Sequence, residues 1–388
     1  MRIVDIREST AKLASSMRNA VIDFSRMTTS VVAIVTDVIR DGKPVIGYGC
    51  GSNGRYAQGG ILRERLLPRI READPDDLLD TNGNLDPFRI QNCMMQNEKP
   101  GGHGDRAVAA SVVDMAVWDA VAKVEEKPLW QVLSERFNGG RHNDKVLVYP
   151  GGGYYYPGKE IEQLQSEMRA YREQGYRIVK MKIAGAPIPD DIRRIEAVLE
   201  IVGSGDNLAV DANGRYDLET AIAFGEAAAP YNLCWFEEPG DPLDFALNAE
   251  LCKHYDPPIA TAENLFSAQD VKNLALYGGM RPDRDWIQMD PALGYGLSEY
   301  LKMLDATETL GWKRDRHIPH GGHLMGLHMA AGLQLGGTES YPLVFQPFGG
   351  FTDDAVIENG FTAPPKVPGL GIEAKAELIK VLRPIGEG

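Results

Sequence analysis

The feature that most constrains the fold is a regular alternation of short apolar runs and helical segments, which begins after Gly140. The runs are rich in β-branched residues, and they predict strands at 146–149, 178–183, 208–211, 234–237, 259–263, 286–290, 314–318 and 340–345. Helical segments such as 161–174 and Leu297–Thr309 separate them. Eight strands with helices between them predict a (β/α)8 barrel; an open doubly wound sheet, which would have fewer strands, is the alternative.

The first 140 residues have a different pattern and predict a separate α+β unit. Apolar and polar residues alternate in the manner of strands over 2–7, 30–39 and 43–48, with a turn at Asp41-Gly42 before the third strand. Helical spacing of apolar residues then predicts a helix over Asp105–Val124. We therefore expect an antiparallel meander followed by helices.

Ionisable residues end the predicted barrel strands at nearly constant intervals. The intervals are 29, 26, 26, 27 and 30 residues, about the length of one βα unit. In a barrel, the carboxyl ends of the strands surround the active site, so these side chains should form a ring at its mouth. The ring consists of Lys182, Asp211, Glu237, Glu263, Asp290 and His320, and Glu339 lies just ahead of the last predicted strand.

Three carboxylates of the ring, Asp211, Glu237 and Glu263, come from consecutive strands. Converging carboxylates repel one another unless a cation neutralises them, and oxygen ligands favour Mg²⁺. A zinc site formed by His317, His320 and His323 is an alternative, although the glycines and proline between these histidines argue against a regular helix. We therefore predict a Mg²⁺ site at the barrel mouth.

Lys180 and Lys182 alternate on one strand, so both should point into the barrel. Two ammonium groups close to each other and to a divalent cation favour loss of a proton. We expect the pKa of at least one lysine to fall toward the range of a general base.

The composition excludes several classes of function. The chain of 388 residues has 41 Lys and Arg against 55 Asp and Glu, a net charge of −14, which has the wrong sign for binding nucleic acid phosphates. No uncharged apolar run reaches the roughly 18 residues of a membrane span, and the charged N-terminus is atypical of a signal peptide. We expect a cytoplasmic protein with reduced cysteines and no membrane association.

A Gly-x-Gly-x-x-Gly pattern at 49–54 follows a strand of the meander and does not open a βαβ unit. We therefore interpret it as a glycine-rich loop over a neighbouring active site, together with Asn53 and Arg55, and not as a dinucleotide site. The polar segment at 11–29 is expected to be a second lid.

These motifs resemble those of the enolase superfamily, in its mandelate racemase-like branch, over nearly the whole chain. The corresponding residues are Lys180-Met-Lys182, Asp211-Ala-Asn213, Glu237-Glu-Pro239, Glu263-Asn264 and the pair of Asp290 and His320. Ala184 departs from the branch, which often has glycine there, and we expect little effect. Within the branch, the segment at 99–106 resembles the D-tartrate dehydratase group.

The resemblance implies a capping domain at 1–140, to which residues 350–388 return, and a catalytic barrel at 141–349. It also implies a homo-oligomer and a small hydroxy-diacid substrate bound through Mg²⁺.

The chemistry that the resemblance implies is dehydration of D-tartrate to oxaloacetate. Lys182 removes the proton α to the carboxylate, and His320, oriented by Asp290, protonates the departing hydroxyl group. Lys180 tunes Lys182. The residues expected to bind substrate are Asn213, Glu339, Lys99 and Arg55, the last two on its distal carboxylate.

Other functions remain open at this point. A racemase, or a dehydratase of a galactarate- or gluconate-type acid sugar, would use the same base and metal. A metal-dependent hydrolase would favour histidine-rich ligands, a class-I-like aldolase would use a lysine without a metal cage, and a non-catalytic barrel would have little use for the ring.

Overall fold

The N-terminal part of the chain forms a three-stranded antiparallel sheet in a computed structural model, which describes residues 1–13, 19, 21–52, 54–155 and 161–387. Its strands are β1 (Ile3–Lys12), β2 (Thr28–Arg40) and β3 (Lys43–Cys50), in the order β1-β2-β3. Asp41 and Gly42 join β2 to β3, both with positive φ, as a two-residue hairpin turn requires. The predicted meander is confirmed, with longer strands than the alternation indicated.

Helices follow this sheet along the chain. They are α1 (Gly59–Ile61), continued by the π-helical Leu62–Leu66, α2 (Leu67–Glu72), α3 (Pro87–Met94), α4 (Asp105–Val124) and α5 (Leu129–Phe137). α4 begins and ends at the predicted residues, and it packs against β2 and β3. A Cβ on Gly49 would clash with the carbonyl oxygen of Val112, so this glycine permits α4 to lie close to β3. Helix packing therefore explains Gly49 without a dinucleotide.

Within the described residues, seven parallel strands form the barrel, in the order β10-β4-β5-β6-β7-β8-β9. They are β4 (Val146–Gly152), β5 (Val179–Lys182), β6 (Leu208–Asp211), β7 (Trp235–Glu237), β8 (Ile259–Thr261), β9 (Trp286–Ile287) and β10 (Thr338–Ser340). The helices around them are α6 (Ile161–Glu173), α7 (Ile188–Val202), α8 (Leu218–Ala228), α9 (Phe245–His254), α10 (Ala268–Tyr277), α11 (Leu297–Thr309) and α12 (Leu324–Gly332). The barrel fold is confirmed, and the open sheet is not formed.

The seventh barrel position differs from the prediction of a strand at 314–318. Arg314–Arg316 forms a 3-10 turn, and His317 makes an isolated parallel bridge to Ile287 of β9. On the other side, the N–H of Gly336 donates to the carbonyl of His317 at 2.9 Å, so this segment joins β9 to the chain entering β10. Pro319 has no N–H to donate, but the hydrogen bonds continue past it, because the N–H of His320 donates to the carbonyl of Met289 at 3.2 Å.

The eighth strand also lies elsewhere than predicted. It spans Thr338–Ser340 instead of 340–345, and Pro342 lacks the N–H that a continued ladder would need. Glu339 therefore lies within the last barrel strand and not ahead of it. A further strand, β11 (Phe361–Thr362), pairs antiparallel with β4.

A layer of buried side chains fills the barrel interior and separates its mouth from the opposite end. Its members are Tyr149, Ile178, Ala209, Trp235, Ala260 and Ile318. Such layers make the barrel a packed core and not a pore. The ring residues therefore lie above a closed floor.

The C-terminal helix, α13 (Ala376–Glu387), lies against β1 and β2 of the N-terminal sheet. The guanidinium of Arg7 on β1 donates to the carbonyl of Gly386 at 2.6 Å. None of the helices in the described residues combines the length and the apolar character needed to cross a bilayer.

Candidate active site

Lys182, Asp211 and Glu237 end the consecutive strands β5, β6 and β7 and lie directly opposite one another in the sheet register. Residues opposite each other on parallel strands point to the same face, so these three side chains lie side by side. All three are buried. Regular spacing in the sequence thus becomes adjacency in the structure.

The chain leaves the four strands β5 to β8 through residues with positive φ: Ala184 (68°), Asn213 (49°), Glu238 (39°) and Ala262 (97°). Such a conformation costs an L residue roughly 1 kcal/mol or more, and it is concentrated at functional sites. At Ala184, the position where glycine is frequent in the branch, the N–H donates to the Asp191 carboxylate at 2.8 Å. This hydrogen bond helps hold alanine in a conformation that glycine would adopt freely.

Both lysines of β5 are ion-paired with carboxylates of other strands. Lys180 contacts Glu237, and its Nζ lies 2.9 Å from Glu339 Oε1, while Lys182 contacts Asp211. Burial opposes the positive charges, but the carboxylates outweigh it and raise the pKa of Lys180 and of Lys182. The predicted fall in a lysine pKa counted the two like charges and a bound cation but not the carboxylates in register, which act in the opposite direction. The effect of the cation on these lysines stays a prediction.

Hydrogen bonds from neighbouring residues orient two of the predicted metal ligands. Glu237 Oε2 accepts from Trp235 Nε1 at 2.8 Å and from Gln288 Nε2 at 2.9 Å. Asp211 Oδ1 accepts from the backbone N–H of Asn213 at 2.8 Å, and the side-chain amide of Asn213 lies 3.3 Å from Asp211 Oδ2. These contacts place Asn213 at the ring, as the resemblance implies.

His320 and Asp290 form a buried pair across the mouth. His320 Nδ1 lies 2.9 Å from Asp290 Oδ2, and His320 Nε2 lies 3.3 Å from Glu263 Oε2 and 3.4 Å from Glu339 Oε2. Burial disfavours a charged imidazole, but Glu263, Glu339 and Asp290 raise the pKa of His320 to about 10. This pKa favours the cationic form of the imidazole at neutral pH.

The carboxylates at or just after the ends of β6, β7 and β8 fit a hard divalent cation such as Mg²⁺. Glu263 Oε2 is buried and makes no hydrogen bond, although His320 Nε2 lies 3.3 Å away as an ion-pair partner. Burial, followed by the charges of Glu263 and Asp211, raises the pKa of Glu238 well above its usual range. No three acidic, histidine or cysteine side chains in the described ranges are already arranged around one point, since lysines hold Asp211 and Glu237. The ligand role of Asp211, Glu237 and Glu263 stays a prediction.

The zinc alternative loses a ligand. His317 is buried, with Nε2 2.9 Å from Thr307 Oγ1 and Nδ1 2.9 Å from the carbonyl oxygen of Lys313. Both ring nitrogens are thus engaged in structural hydrogen bonds, and His317 does not join His320 and His323.

The two predicted contacts for the distal carboxylate differ in their placement. Arg55 reaches the loop after β8, where its Nη2 donates to Asn264 Oδ1 at 2.6 Å, and Asn264 Nδ2 donates to Glu238 Oε1 at 3.0 Å. Lys99 is exposed, and its side chain makes no hydrogen bond or ion pair with ring residues in the part of the chain that the structure describes. The structure thus brings Arg55 to the site but not Lys99.

An aromatic wall that the sequence did not indicate covers Lys182. Lys182 Nζ lies 5.5 Å from the ring centroid of Tyr154, which packs edge-on against Phe24 at 6.3 Å and Phe345 at 6.5 Å. Tyr154 lies two residues after the end of β4, so a rule that reads only the last residue of each strand misses it. Phe24 belongs to the predicted lid at 11–29, of which 14–18 and 20 lie outside the described residues, as does Asn53.

Comparisons with known proteins agree with this architecture. Residues 163–378 match the family model described as enolase C-terminal domain-like, and residues 11–134 match the mandelate racemase / muconate lactonizing enzyme N-terminal domain. L-talarate/galactarate dehydratase of Salmonella typhimurium is 31% identical over 79% of this chain and 72% of its own, and arabinonate dehydratase of Saccharolobus solfataricus is 32% identical over 84% and 82%. A crystal structure of L-talarate dehydratase from Polaromonas sp. JS666 with Mg and L-glucarate superposes with a TM-score of 0.75 at 26% identity, covering 94% of this chain and 92% of that one.

Proposed function

Because this chain belongs to the enolase superfamily, in the family of mandelate racemase and muconate lactonizing enzyme, we propose that it is a Mg²⁺-dependent hydro-lyase that dehydrates D-tartrate to oxaloacetate. The observation that carries the proposal is that Lys180 of β5 and His320 both lie beside the carboxylate of Glu339. Glu339 Oε1 lies 2.9 Å from Lys180 Nζ, and its Oε2 lies 3.4 Å from His320 Nε2. A base and an acid can thus act on one small molecule.

In this proposal, Asp211, Glu237 and Glu263 would hold Mg²⁺. When bound there, the cation supplies positive charge beside the substrate carboxylate and so makes the α-hydrogen more acidic. Lys182 takes the α-proton, which requires a neutral amine and therefore opening of its ion pair with Asp211.

The cationic His320 then donates its proton to the hydroxyl group on the neighbouring carbon. The carbon–oxygen bond breaks, its electron pair leaves with the oxygen as water, and the enol that remains tautomerises to the keto acid. Asp290 keeps the imidazole oriented and charged. Lys180 stays paired with Glu237 and adjusts the pKa of Lys182, and Asn213 orients the substrate. Glu339 donates no proton, but its two carboxylate oxygens position Lys180 and His320.

The choice of D-tartrate rests on the segment at 99–106 and on one cation near the mouth. Arg55 lies against the loop after β8 and would bind the distal carboxylate of a short diacid, whereas Lys99, which was expected to share this role, is exposed and away from the ring. A charge closed into a dry site needs such a partner.

A dehydratase or racemase of a longer acid sugar is the second candidate. The named activities of the two curated relatives favour it, since one acts on talarate and galactarate and the other on arabinonate. The residues proposed as base, acid and metal ligands would be the same, and only the other side chains that line the barrel mouth would differ.

We also propose that residues 1–140 and 350–388 form one domain that caps the barrel of residues 141–349, and that the protein is a homo-oligomer.

A substrate panel tests the function. Purified protein with Mg²⁺ is incubated with the tartrate isomers, galactarate, gluconate and arabinonate, and keto acid formation is measured as semicarbazone absorbance. Oxaloacetate from D-tartrate, identified with NADH and malate dehydrogenase, is the expected result. Preference for a five- or six-carbon acid would replace the substrate and keep the reaction, whereas keto acid from none of them, with α-hydrogen exchange in D₂O, would indicate a racemase.

A further inference from the structure

Ser52 connects the N-terminal unit to the pair formed by Asp290 and His320. It follows β3 by two residues and is 1% exposed, and its Oγ donates a hydrogen bond to Asp290 Oδ2 at 3.2 Å. The same carboxylate oxygen accepts from His320 Nδ1 at 2.9 Å. The hydroxyl group and the imidazole therefore share one acceptor atom.

The remaining contacts of Asp290 come from the barrel. Its Oδ1 accepts from the backbone N–H of Ala292 at 2.6 Å and lies 3.4 Å from His323 Nε2. Among these described partners, Ser52 alone belongs to the N-terminal unit. Without the hydroxyl group, Oδ2 would keep the imidazole as its remaining partner in this set, and the rotation of the carboxylate would be less restricted.

The backbone before Ser52 is firmly attached to the N-terminal sheet. Cys50 pairs with Val31, and the N–H of Gly51 donates to the carbonyl of Ser30 at 2.8 Å. A Cβ on Gly51 would lie 2.9 Å from Thr29 Oγ1, so the chain passes close to β2 here. The backbone that leads to Ser52 is therefore held by the N-terminal sheet.

We propose that Ser52 is a positioning residue through which the N-terminal unit sets the orientation of His320. The hydroxyl group fixes the rotation of the Asp290 carboxylate, and the carboxylate fixes the plane of the imidazole that donates the proton. The effect on catalysis rests on the proposed function, whereas the positioning of the His320 imidazole does not. Lys182 lies on β5 and does not depend on this contact, so the two proton transfers should respond differently to loss of the hydroxyl group.

The test compares Ser52→Ala with Ser134→Ala in the full-length protein with Mg²⁺. Ser134 lies on α5 and is 2% exposed, and its hydroxyl group donates to the carbonyl of Arg141 in the segment after that helix. This contact is away from the ring. We expect Ser52→Ala to lower kcat for keto acid formation about tenfold, the size of one lost hydrogen bond to a charged group, with KM little changed. Exchange of the substrate α-hydrogen in D₂O should continue near the wild-type rate, and Ser134→Ala should change neither rate.

Two further variants separate positioning from simple packing. Ser52→Thr, which keeps a hydroxyl group, should retain the wild-type ratio of dehydration to exchange. In an Asp290→Asn background, Ser52→Ala should have no additional effect, because the residue acts through that carboxylate. An equal fall of both rates in Ser52→Ala, an unchanged ratio, or full additivity with Asp290→Asn would overturn the proposal.

A measurement without turnover distinguishes this inference from the proposed function. The hydrogen-bonded Nδ1–H proton of His320 can be observed by NMR and identified by its loss in His320→Asn. It should shift or broaden in Ser52→Ala and stay unchanged in Ser134→Ala. If the wild type makes no keto acid and exchanges no α-hydrogen, the function fails, while an unaltered resonance in Ser52→Ala refutes the role of Ser52.

Discussion

Replacing Asp114 by asparagine should change the pH dependence of stability. Asp114 lies on α4, is 1% exposed and faces the start of α11, where it accepts hydrogen bonds from the hydroxyl group and, at 3.2 Å, the N–H of Ser298. Gly296 permits this approach, because a Cβ there would clash with the Asp114 side chain. Burial raises the pKa of Asp114 to about 7, against the opposing effect of the Ser298 hydrogen bonds.

The sign and size of the effect follow from this pKa. In the unfolded chain the carboxyl group loses its proton near its ordinary pKa of 3.8, whereas in the folded chain it holds the proton up to about pH 7. The stabilisation from the neutral form is therefore complete below pH 3.8 and is lost as the pH rises through 7. A difference of roughly 3 pKa units corresponds to about 4 kcal/mol over the whole range, of which about 3 kcal/mol falls between pH 5 and 8.

Urea unfolding at fixed protein concentration, followed by far-UV circular dichroism at several pH values between 5 and 8, measures this change. We expect the free energy of unfolding of the wild type to fall by about 3 kcal/mol relative to Asp114→Asn across that range, because asparagine does not titrate. Asp217→Asn is the control: Asp217 is an exposed N-cap whose hydrogen bonds with Thr220 lower its pKa, so its effect is lost only in acid. A constant difference between the wild type and Asp114→Asn from pH 5 to 8 would refute the reasoning.

Three further predictions concern turnover. Lys182→Ala should lose both α-hydrogen exchange and dehydration by about 100-fold or more, whereas His320→Asn should lose dehydration but retain exchange; normal exchange in Lys182→Ala would mean that another residue is the base. EDTA should abolish keto acid formation and Mg²⁺ should restore it, and full activity in metal-stripped protein would contradict the predicted ligands. Arg55→Ala should raise KM for a diacid about tenfold or more and barely change it for a mono-acid analogue, whereas Lys99→Ala, at an exposed position away from the ring, should change neither; equal changes for both substrates in Arg55→Ala would remove Arg55 from the distal site.

The barrel and most of its ring were predictable because one βα unit has a nearly constant length. A fixed interval between strand ends means that residues such as Lys182, Asp211 and Glu237 fall into register, which the structure shows. The seventh and eighth strands were misplaced for a local reason. Pro319 and Pro342 remove backbone donors from ladders, but a short apolar run beside a proline still looks like a strand.

The pKa values of the lysines show a different limit of sequence reasoning. Lys180 and Lys182 were expected to repel each other, and the same register that places them together also places carboxylates within contact of each. Whether like or opposite charges dominate depends on distances of a few ångströms. The spacing of the motifs fixes which groups meet but not how close each pair comes, so it could not determine the sign.

Ser52 was not predictable for a reason of chain topology. Its partner Asp290 lies 238 residues further along the chain, and the contact joins two units whose internal patterns are independent of each other. Periodicity relates residues within a strand, a helix or a repeated unit, and it carries no information on how a loop of one unit meets a strand end of another. The barrel already sets the positions of the ring residues. A contact such as that of Ser52 lies where the two units meet, so it leaves no pattern in the sequence and is seen only in the structure.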